Sequence, residues 1–177
     1  MLSVLVPIYN FDVTPFIKDI HKQCELAKIN FEILLYDDFS APTYKTINRT
    51  TSDLNNVTYL ELPENFGRSK IRNRLAIDAK FDKLLFMDCD SNTEDGFYIC
   101  KYLNQLTKYQ VIYGGRSYSS NPPTNNNLFL RWVYGITREV KSATKRETEP
   151  YRNFMTNNFV IDKSIVLNIP FDETLTG

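Results

Sequence analysis

The feature that most constrains the fold of this chain is a repeated alternation of short apolar runs with amphipathic segments. The apolar runs predict buried strands, and they are Leu2–Tyr9, Phe31–Tyr36, Val57–Leu62 and Lys83–Met87. Each run is followed by a segment whose apolar residues recur near the helical period. Strand and helix alternating in this way predict an α/β fold, with a central, mostly parallel sheet and helices on both faces.

The segments between and after these runs carry helix, strand and loop signals of their own. Thr14-Pro15 is typical of an N-cap followed by the first helical residue. Helices are expected from Thr14 and over Ser40–Thr50, Ser69–Ala79, Glu94–Lys108 and Leu128–Arg146. Later in the chain, strands are expected at Gln110–Tyr113 and Phe159–Ile161, a loop at Ser117–Asn127 and a short apolar segment at Ile165–Ile169.

Composition excludes several classes of protein. The 177 residues carry 21 basic and 21 acidic side chains, and a net charge of zero argues against a general nucleic-acid binder. Three cysteines without CxxC spacing favour reduced thiols in a cytoplasmic protein, and the single histidine excludes a multi-histidine metal centre. The N-terminal residues lack the features of a signal peptide. No apolar window reaches ~18 residues, so no transmembrane segment is expected.

Polar side chains follow three of the predicted parallel strands: Tyr9-Asn10, Asp37-Asp38 and Asp88-Cys89-Asp90. In open α/β sheets, ligands bind beyond the carboxyl ends of the strands. Residues two apart in extended chain point the same way, so Asp88 and Asp90 would present two hard oxygen ligands on one side. Mg²⁺ or Mn²⁺ uses one or two such carboxylates and takes its other ligands from water and phosphates. The structural alternative is that Asp90 caps the next helix.

The segment Asn65–Asn73 joins the third strand to a helix and contains Gly67 with three basic side chains. A helix N-terminus of this composition is able to hold a phosphate. The alternative is a glycine turn followed by a solvated basic face. The segment is neither a P-loop nor a Gly-x-Gly-x-x-Gly fingerprint, which weakens a nucleotide-hydrolase or dehydrogenase interpretation.

Taken in order, these residues resemble the family 2 glycosyltransferases, which have a GT-A fold. Four elements carry the resemblance: Val4–Asn10 as the opening strand, Asp37-Asp38-Phe39-Ser40 as an Asp-Asp-Gly-Ser element with Phe in place of Gly, Asn65-x-Gly67 with Arg72-Asn73, and Asp88-Cys89-Asp90 as the Asp-x-Asp strand end. The match is good over residues 1–116 and looser beyond them. It implies a single GT-A-like domain over residues 1–177, with a nucleotide-sugar-binding part (1–116) and the start of an acceptor part (117–177).

The resemblance implies roles for individual residues. The residues expected to bind the nucleotide sugar are Pro7, Tyr9, Asn10, Asp37, Asp38, Asn65, Gly67, Arg72 and Asp88. Asp88 and Asp90 are expected to bind Mn²⁺ or Mg²⁺ bridging the diphosphate, where the cation acts as a Lewis acid on the leaving group. The general base is expected beyond Gly177, so no residue of this chain is assigned as catalytic. The chain is expected to be truncated, and its activity as it stands is left open.

The function implied is inverting transfer of a sugar from a UDP-sugar or similar donor to an acceptor hydroxyl, in bacterial surface polysaccharide or glycoconjugate synthesis. The acceptor is expected to be a carbohydrate or lipid-linked sugar, and the location cytoplasmic, with peripheral contact at the inner membrane face where the acceptor is lipid-linked. Two alternatives remain open. One is a noncatalytic nucleotide-binding domain. The other is a haloacid-dehalogenase-like phosphatase, in which the first Asp of Asp-x-Asp is a nucleophile and the second an acid/base.

Overall fold

The structure is a computed structural model that describes residues 1–93 and 95–175. It contains two compact units. The larger consists of Met1–Ile112 together with the segment from Thr156 onward, and the smaller is Tyr113–Met155. The division predicted on functional grounds, at residue 116, stays a prediction. In the part of the chain that is described, no helix is long and apolar enough to cross a membrane.

The sheet has six strands in the order β3-β2-β1-β4-β6-β5. The strands are β1 Leu2–Ile8, β2 Phe31–Asp37, β3 Val57–Glu61, β4 Lys83–Met87, β5 Val111–Tyr113 and β6 Asn158–Asp162. β1 pairs in parallel with β2 and β4, and β2 in parallel with β3, whereas β6 runs antiparallel to β4. Ile8 lies opposite Asp37 at the carboxyl ends of β1 and β2. The mostly parallel α/β sheet predicted from the sequence is confirmed.

Eight α-helices are described: α1 Thr14–Leu26, α2 Pro42–Asn48, α3 Gly67–Asp78, α4 Tyr98–Leu103, α5 Phe129–Tyr134, α6 Ala143–Glu147, α7 Pro150–Asn153 and α8 Lys163–Asn168. Alternation along β1 divides the core between the two sheet faces. Val4 and Val6 belong to a buried cluster that includes Ile17 and Ile20 of α1. On the other face α3 contacts β1 and β2 and packs against α8. Helices therefore cover both faces of the central strands.

Several helix boundaries differ from those expected. The fourth helix begins at Tyr98, because Asp95 turns the chain by accepting a hydrogen bond from the Phe97 amide; the expected start, Glu94, lies outside the described residues. α1 has Val13, not Thr14, at its N-cap, and the carboxylate of Asp12 accepts from Thr14 in its place. Ile165–Ile169, expected only as a short apolar segment, lies largely within α8.

The prediction of a single helix over Leu128–Arg146 is also wrong. α5 passes into a π-helical turn at Gly135–Glu139, and the chain is extended at Val140 before α6 begins. Ser142 caps α6 by accepting from the amide of Lys145, which starts a new helix instead of continuing the old one.

The smaller unit is held together by a carboxylate between cationic groups. Glu139 accepts hydrogen bonds from Arg131 at 2.7 and 3.1 Å, from Arg116 at 2.9 Å and from the hydroxyl of Tyr118, and its side chain is only 9% exposed. The hydrogen bonds from Arg131 lower the pKa of Glu139 from 4.5 to about 2, with smaller contributions from Tyr118 and Arg116, while burial opposes the shift. The ionised carboxylate therefore stabilises this unit.

We expect acid to loosen the smaller unit between pH 4.5 and about 2. Because the pKa of Glu139 is depressed by folding, its contribution is complete above the unfolded pKa and is lost as the pH falls through the folded one. Trp132, the only tryptophan, lies in this unit and reports the change by fluorescence. Glu139→Gln should flatten the transition in this window, and identical acid titrations of the two proteins would contradict the assignment.

Candidate active site

The carboxyl edge of the sheet is organised around Asp38. Its buried carboxylate accepts hydrogen bonds from the amides of Phe66 at 2.5 Å and Gly67 at 3.0 Å, where α3 begins. Its carbonyl oxygen accepts from the side-chain amide of Asn65, and its own amide donates to the carbonyl of Ile8. A negative charge at a helix N-terminus is favourable, because the first amides have no intrahelical partner. Asp38, which follows β2, therefore caps the N-terminus of α3 from outside the helix.

Glycine is required where this cap meets the helix. Gly67 has φ +76°, in the left-handed region that L side chains rarely adopt. In this conformation the successive amides of Phe66 and Gly67 both donate to the carboxylate of Asp38. The sequence pattern Asn65-x-Gly67 thus corresponds to a specific turn, in which both residues contact Asp38. The part that Asn65 and Gly67 play in nucleotide-sugar binding stays a prediction.

Asp37 is also committed to the protein. Its fully buried carboxylate accepts from the amide of Ser40 at 2.7 Å and from the hydroxyl of Tyr59 at 2.9 Å. Burial, together with the hydrogen bond to Asp37, raises the pKa of Tyr59, so the phenol stays a donor. The acidic pair therefore shapes the turn after β2 and ties it to β3. Its role in nucleotide binding stays a prediction.

The turn after β1 interlocks with the turn after β2. The amide of Asn10 donates to the Ser40 hydroxyl at 2.8 Å, and the Asn10 side-chain oxygen accepts from the amide of Ala41 at 2.8 Å. Phe39, directly before Ser40, has φ +69°, a conformation that costs an L residue about 1–2 kcal/mol. Tyr9 and Phe39 are both exposed, whereas Pro7 is half-buried within β1.

Arg72 joins α3 to the end of β4. One guanidinium nitrogen of Arg72 donates to the carboxylate of Asp88 at 2.6 Å and another to the carbonyl of Arg68. The side chain is buried, and its Nε has no hydrogen-bond partner among the described residues. The positive charge of Arg72 therefore offsets the charge of Asp88.

Asp90 differs from the other three carboxylates. It lies exposed in the turn after β4, where the amide of Ser91 donates to the carbonyl of Asp88, and it accepts no hydrogen bond from any described residue. Because α4 begins only at Tyr98, Asp90 is not its cap, and the structural alternative for this residue is wrong. Burial raises the pKa of Cys89 between the two carboxylates, which disfavours its thiolate.

Asp88 and Asp90 fit a cation only if the substrate supplies further ligands. Among the described residues no group of three or more His, Cys, Asp or Glu side chains is placed to hold a metal ion. Mg²⁺ is commonly bound by one or two carboxylates with substrate phosphates and water completing its coordination. Two carboxylates at a sheet edge fit that arrangement, and when bound the cation would supply Lewis-acid stabilisation of a leaving diphosphate.

A contact that the sequence did not predict is formed by Asn73, next to Arg72 on α3. The Asn73 side chain donates to the carbonyl of Phe171 at 2.9 Å and to the carboxylate of Glu173 at 2.8 Å, and accepts from the amide of Phe171 at 2.9 Å. The same region borders an open groove of about 490 Å³ between α3 and α8. Asn73 belongs to the Arg72-Asn73 motif of the sequence, but its hydrogen-bond partner Phe171 lies 98 residues away in the chain.

The acidic residues of this segment are engaged as well. Asp172 accepts from the amide and the hydroxyl of Thr174, and Glu173 is held by Asn73. Neither is placed here as a general base. The expected base element beyond Gly177 lies outside the described residues.

The amino-acid sequence matches the model of a known family. The family model described as Glycosyl transferase family 2 matches residues 3–171, nearly the whole chain. The chain belongs to glycosyl transferase family 2. No curated protein matches it in sequence. The resemblance drawn from the sequence motifs is confirmed.

Solved structures show that this family 2 chain has a GT-A fold. Residues 1–349 of Staphylococcus aureus TarS are 20% identical, with a TM-score of 0.67 over 99% of this chain and 51% of that one. The mannosyltransferase PcManGT from Pyrobaculum calidifontis, solved with GDP-Man and Mn²⁺, is 12% identical, with a TM-score of 0.62 over 98% and 48%. The chain spans about half the length of these relatives.

A third structure, glucosyl-3-phosphoglycerate synthase from Mycobacterium tuberculosis, was solved with Mn²⁺, UDP and glucosyl-3-phosphoglycerate. It is 13% identical, with a TM-score of 0.61 over 97% of this chain and 60% of that one. At these identities the likeness concerns the fold.

We expect Asp38→Ala to lower the free energy of unfolding by at least about 2 kcal/mol, because it removes two hydrogen bonds to a charged acceptor and leaves the α3 amides unpaired. Urea unfolding measures the loss. Asp90→Ala is the matched control at the same edge and should stay within about 0.5 kcal/mol of wild type, since Asp90 is exposed. Equal effects of the two substitutions would argue against the capping role.

We expect Asn73→Asp to destabilise the protein by about 2 kcal/mol, because it removes both donated hydrogen bonds and places two carboxylates together. Glu173→Gln in the same chain should recover part of the loss, since a glutamine amide donates to the new aspartate. A double-mutant cycle from urea unfolding should give a coupling of at least about 1 kcal/mol. Additive effects would show that the two side chains act independently.

Proposed function

We propose that the chain binds a nucleotide-diphosphate sugar, with UDP-sugar as the first candidate, and forms the donor side of an inverting glycosyltransferase. The observation that carries the proposal is the exposed Asp90 beside the Arg72–Asp88 pair at the carboxyl edge of the sheet. Family membership and the nucleotide-bound neighbours support it, since TarS was solved with UDP-GlcNAc and with UDP.

The proposed donor site uses the residues identified from the sequence, with their roles refined by their contacts. Asp37 and Asp38 hold the turns that frame the site, with Asn65 and Gly67 completing the frame. Pro7, Tyr9 and Asn10 would border the base, Arg72 would orient Asp88 toward the ribose or the cation, and Asp88 with Asp90 would hold Mn²⁺ or Mg²⁺. Exposed carboxylates next to a diphosphate need a cation, because their negative charges otherwise repel.

In the proposed reaction an acceptor hydroxyl attacks the anomeric carbon from the face opposite the diphosphate. The new C–O bond forms as the bond to the diphosphate breaks, the diphosphate leaves with the electron pair, and a carboxylate base takes the hydroxyl proton, so the anomeric configuration inverts. Arg72 contributes by fixing the carboxylate of Asp88. The described residues supply the donor side of this reaction, and the base stays unassigned.

The wider setting is part of the same proposal. The acceptor is a carbohydrate or lipid-linked sugar in bacterial surface polysaccharide or glycoconjugate synthesis, and the location is cytoplasmic. Peripheral contact with the inner membrane face fits the smaller unit, which carries seven Lys and Arg against three Asp and Glu. Leu130 and Tyr134 of that unit are exposed, as an interfacial segment requires.

A noncatalytic nucleotide-binding domain is the second candidate, because the donor edge is described and the base is not. It predicts the same nucleotide binding without sugar transfer or donor hydrolysis. Membership of glycosyl transferase family 2 removes the support for a phosphatase of the haloacid-dehalogenase type, since the family match covers residues 3–171, including Asp88 and Asp90.

We expect UDP with Mn²⁺ to raise the melting temperature, with about 2.7 kcal/mol of stabilisation at 100 times the dissociation constant. UDP without the cation should give a smaller shift, and Asp90→Ala should lose the cation-dependent part. Asp53→Ala is the matched control, because Asp53 is exposed and precedes β3 at the opposite edge of the sheet. No shift with any nucleoside diphosphate would contradict the proposal.

A further inference from the structure

Phe39 has a backbone conformation that its side chain disfavours. Four non-glycine residues of the described chain have positive φ, and Phe39, at +69°, is the one aromatic residue among them. Bulky residues are genuine outliers in this region, whereas glycine adopts it at no steric cost. Strained residues persist where the surroundings determine the backbone, and they cluster at functional sites. The cost of placing Phe at this position therefore calls for a reason.

The surroundings of Phe39 do determine its backbone. On one side the amide of Asp38 donates to Ile8, and on the other the amide of Ser40 donates to the carboxylate of Asp37, both at 2.7 Å. These bonds use only the neighbours of Phe39, so a glycine would satisfy the same turn. The side chain is not needed to form it.

The ring of Phe39 is not part of the core either. It is 53% exposed, and its one ring contact among the described residues is the ammonium group of Lys45, 4.9 Å from the ring centroid. About half of this residue stays exposed, so its apolar surface gains only part of the stabilisation that full burial would give. The turn therefore presents an aromatic surface outward.

That surface lies at the carboxyl edge beside a second exposed ring. Tyr9 is 55% exposed and directly follows Ile8, whose register partner, Asp37, precedes Phe39 by two residues. Neighbouring strands lie about 4.8 Å apart, so the two turns emerge side by side. The hydrogen bonds of Asn10 to Ser40 and Ala41 fix one turn against the other. Two aromatic faces are thus held on a rigid edge.

We propose that Phe39 stacks on the nucleobase of the donor, next to Tyr9, and so makes base stacking a determinant of donor affinity in this chain. The inference rests on the proposed function, because it needs a nucleotide at this edge. Aromatic side chains bind the π-face of any base, so the contact strengthens nucleotide binding without selecting one base by hydrogen bonding. Lys45 lies beside the ring, and its ammonium group is also 4.0 Å from the carboxylate of Glu61, so the proposed stacking rests on the ring and not on this charge.

The decisive variant is Phe39→Gly, because it removes the ring and relieves the backbone at once. Its melting temperature without ligand should equal or exceed that of wild type, so weaker binding is not explained by unfolding. Titration calorimetry with UDP and Mn²⁺ should show affinity reduced about tenfold or more, the effect of losing one base–aromatic stack. Phe39→Tyr should keep most of the affinity.

Two controls separate stacking from other effects. An abasic ribose 5-diphosphate with Mn²⁺ should bind wild type and Phe39→Gly equally, because it has no base to stack. Tyr151→Ala removes another exposed ring, 98% exposed in the smaller unit, and should leave UDP binding unchanged.

The outcomes are distinguishable. Equal UDP affinity of wild type and Phe39→Gly overturns the stacking inference and leaves the proposed function standing. An equal loss for UDP and the abasic diphosphate also overturns it, because the ring would then act through the turn and not through the base. Failure of wild type to bind any nucleoside diphosphate overturns the proposed function and this inference together.

Discussion

The arrangement of this site depends on one carboxylate placed at the start of one helix. Asp38, directly after β2, accepts from the amides of Phe66 and Gly67 at the start of α3. At the other end of α3, Lys163 donates to the carbonyls of Ile77 and Ala79. A negative group at the N-terminus and a positive group at the C-terminus both interact favourably with the helix dipole. α3 is therefore fixed along its axis by residues from outside itself, and its side chains acquire defined positions.

The fixed position of α3 also fixes two segments that it contacts, the turn after β4 and the segment 171–173. Arg72 holds Asp88 at the end of β4, and the next residue, Asn73, holds the backbone of Phe171 and the carboxylate of Glu173. The ring of Phe171 packs edge-on against Phe86 of β4, which closes the connection through the core. A displacement of α3 would move the carboxylate of Asp88 and the 171–173 segment together. This would link the proposed donor site to the chain segment that follows α8.

The strands and the edge were predictable from the sequence because their signals are local. β4 is an apolar run ending in carboxylates, and Gly67 marks a turn that only glycine forms easily. The contacts of Asn73 were not predictable, since nothing near Asn73 in the chain indicates Phe171 as its partner. The prediction of one helix over Leu128–Arg146 was wrong, because the spacing of apolar residues does not indicate that Ser142 caps a new helix. That Asp38 caps α3 likewise depends on where β2 ends relative to α3.

The charges at the edge explain why the site would depend on a cation. Four carboxylates lie where an anionic diphosphate is proposed to bind, which by itself would repel it. Asp37 is hydrogen-bonded to Tyr59 and Ser40, Asp38 faces the positive end of α3, and Asp88 is paired with Arg72. Each of these charges is stabilised within the protein, by neutral hydrogen-bond donors, a helix N-terminus or an ion pair. Asp90 alone of the four is exposed and accepts no hydrogen bond from the described residues, so its charge is the one left for a cation to neutralise. A divalent cation there would remove the last repulsion and attract the ligand at the same time.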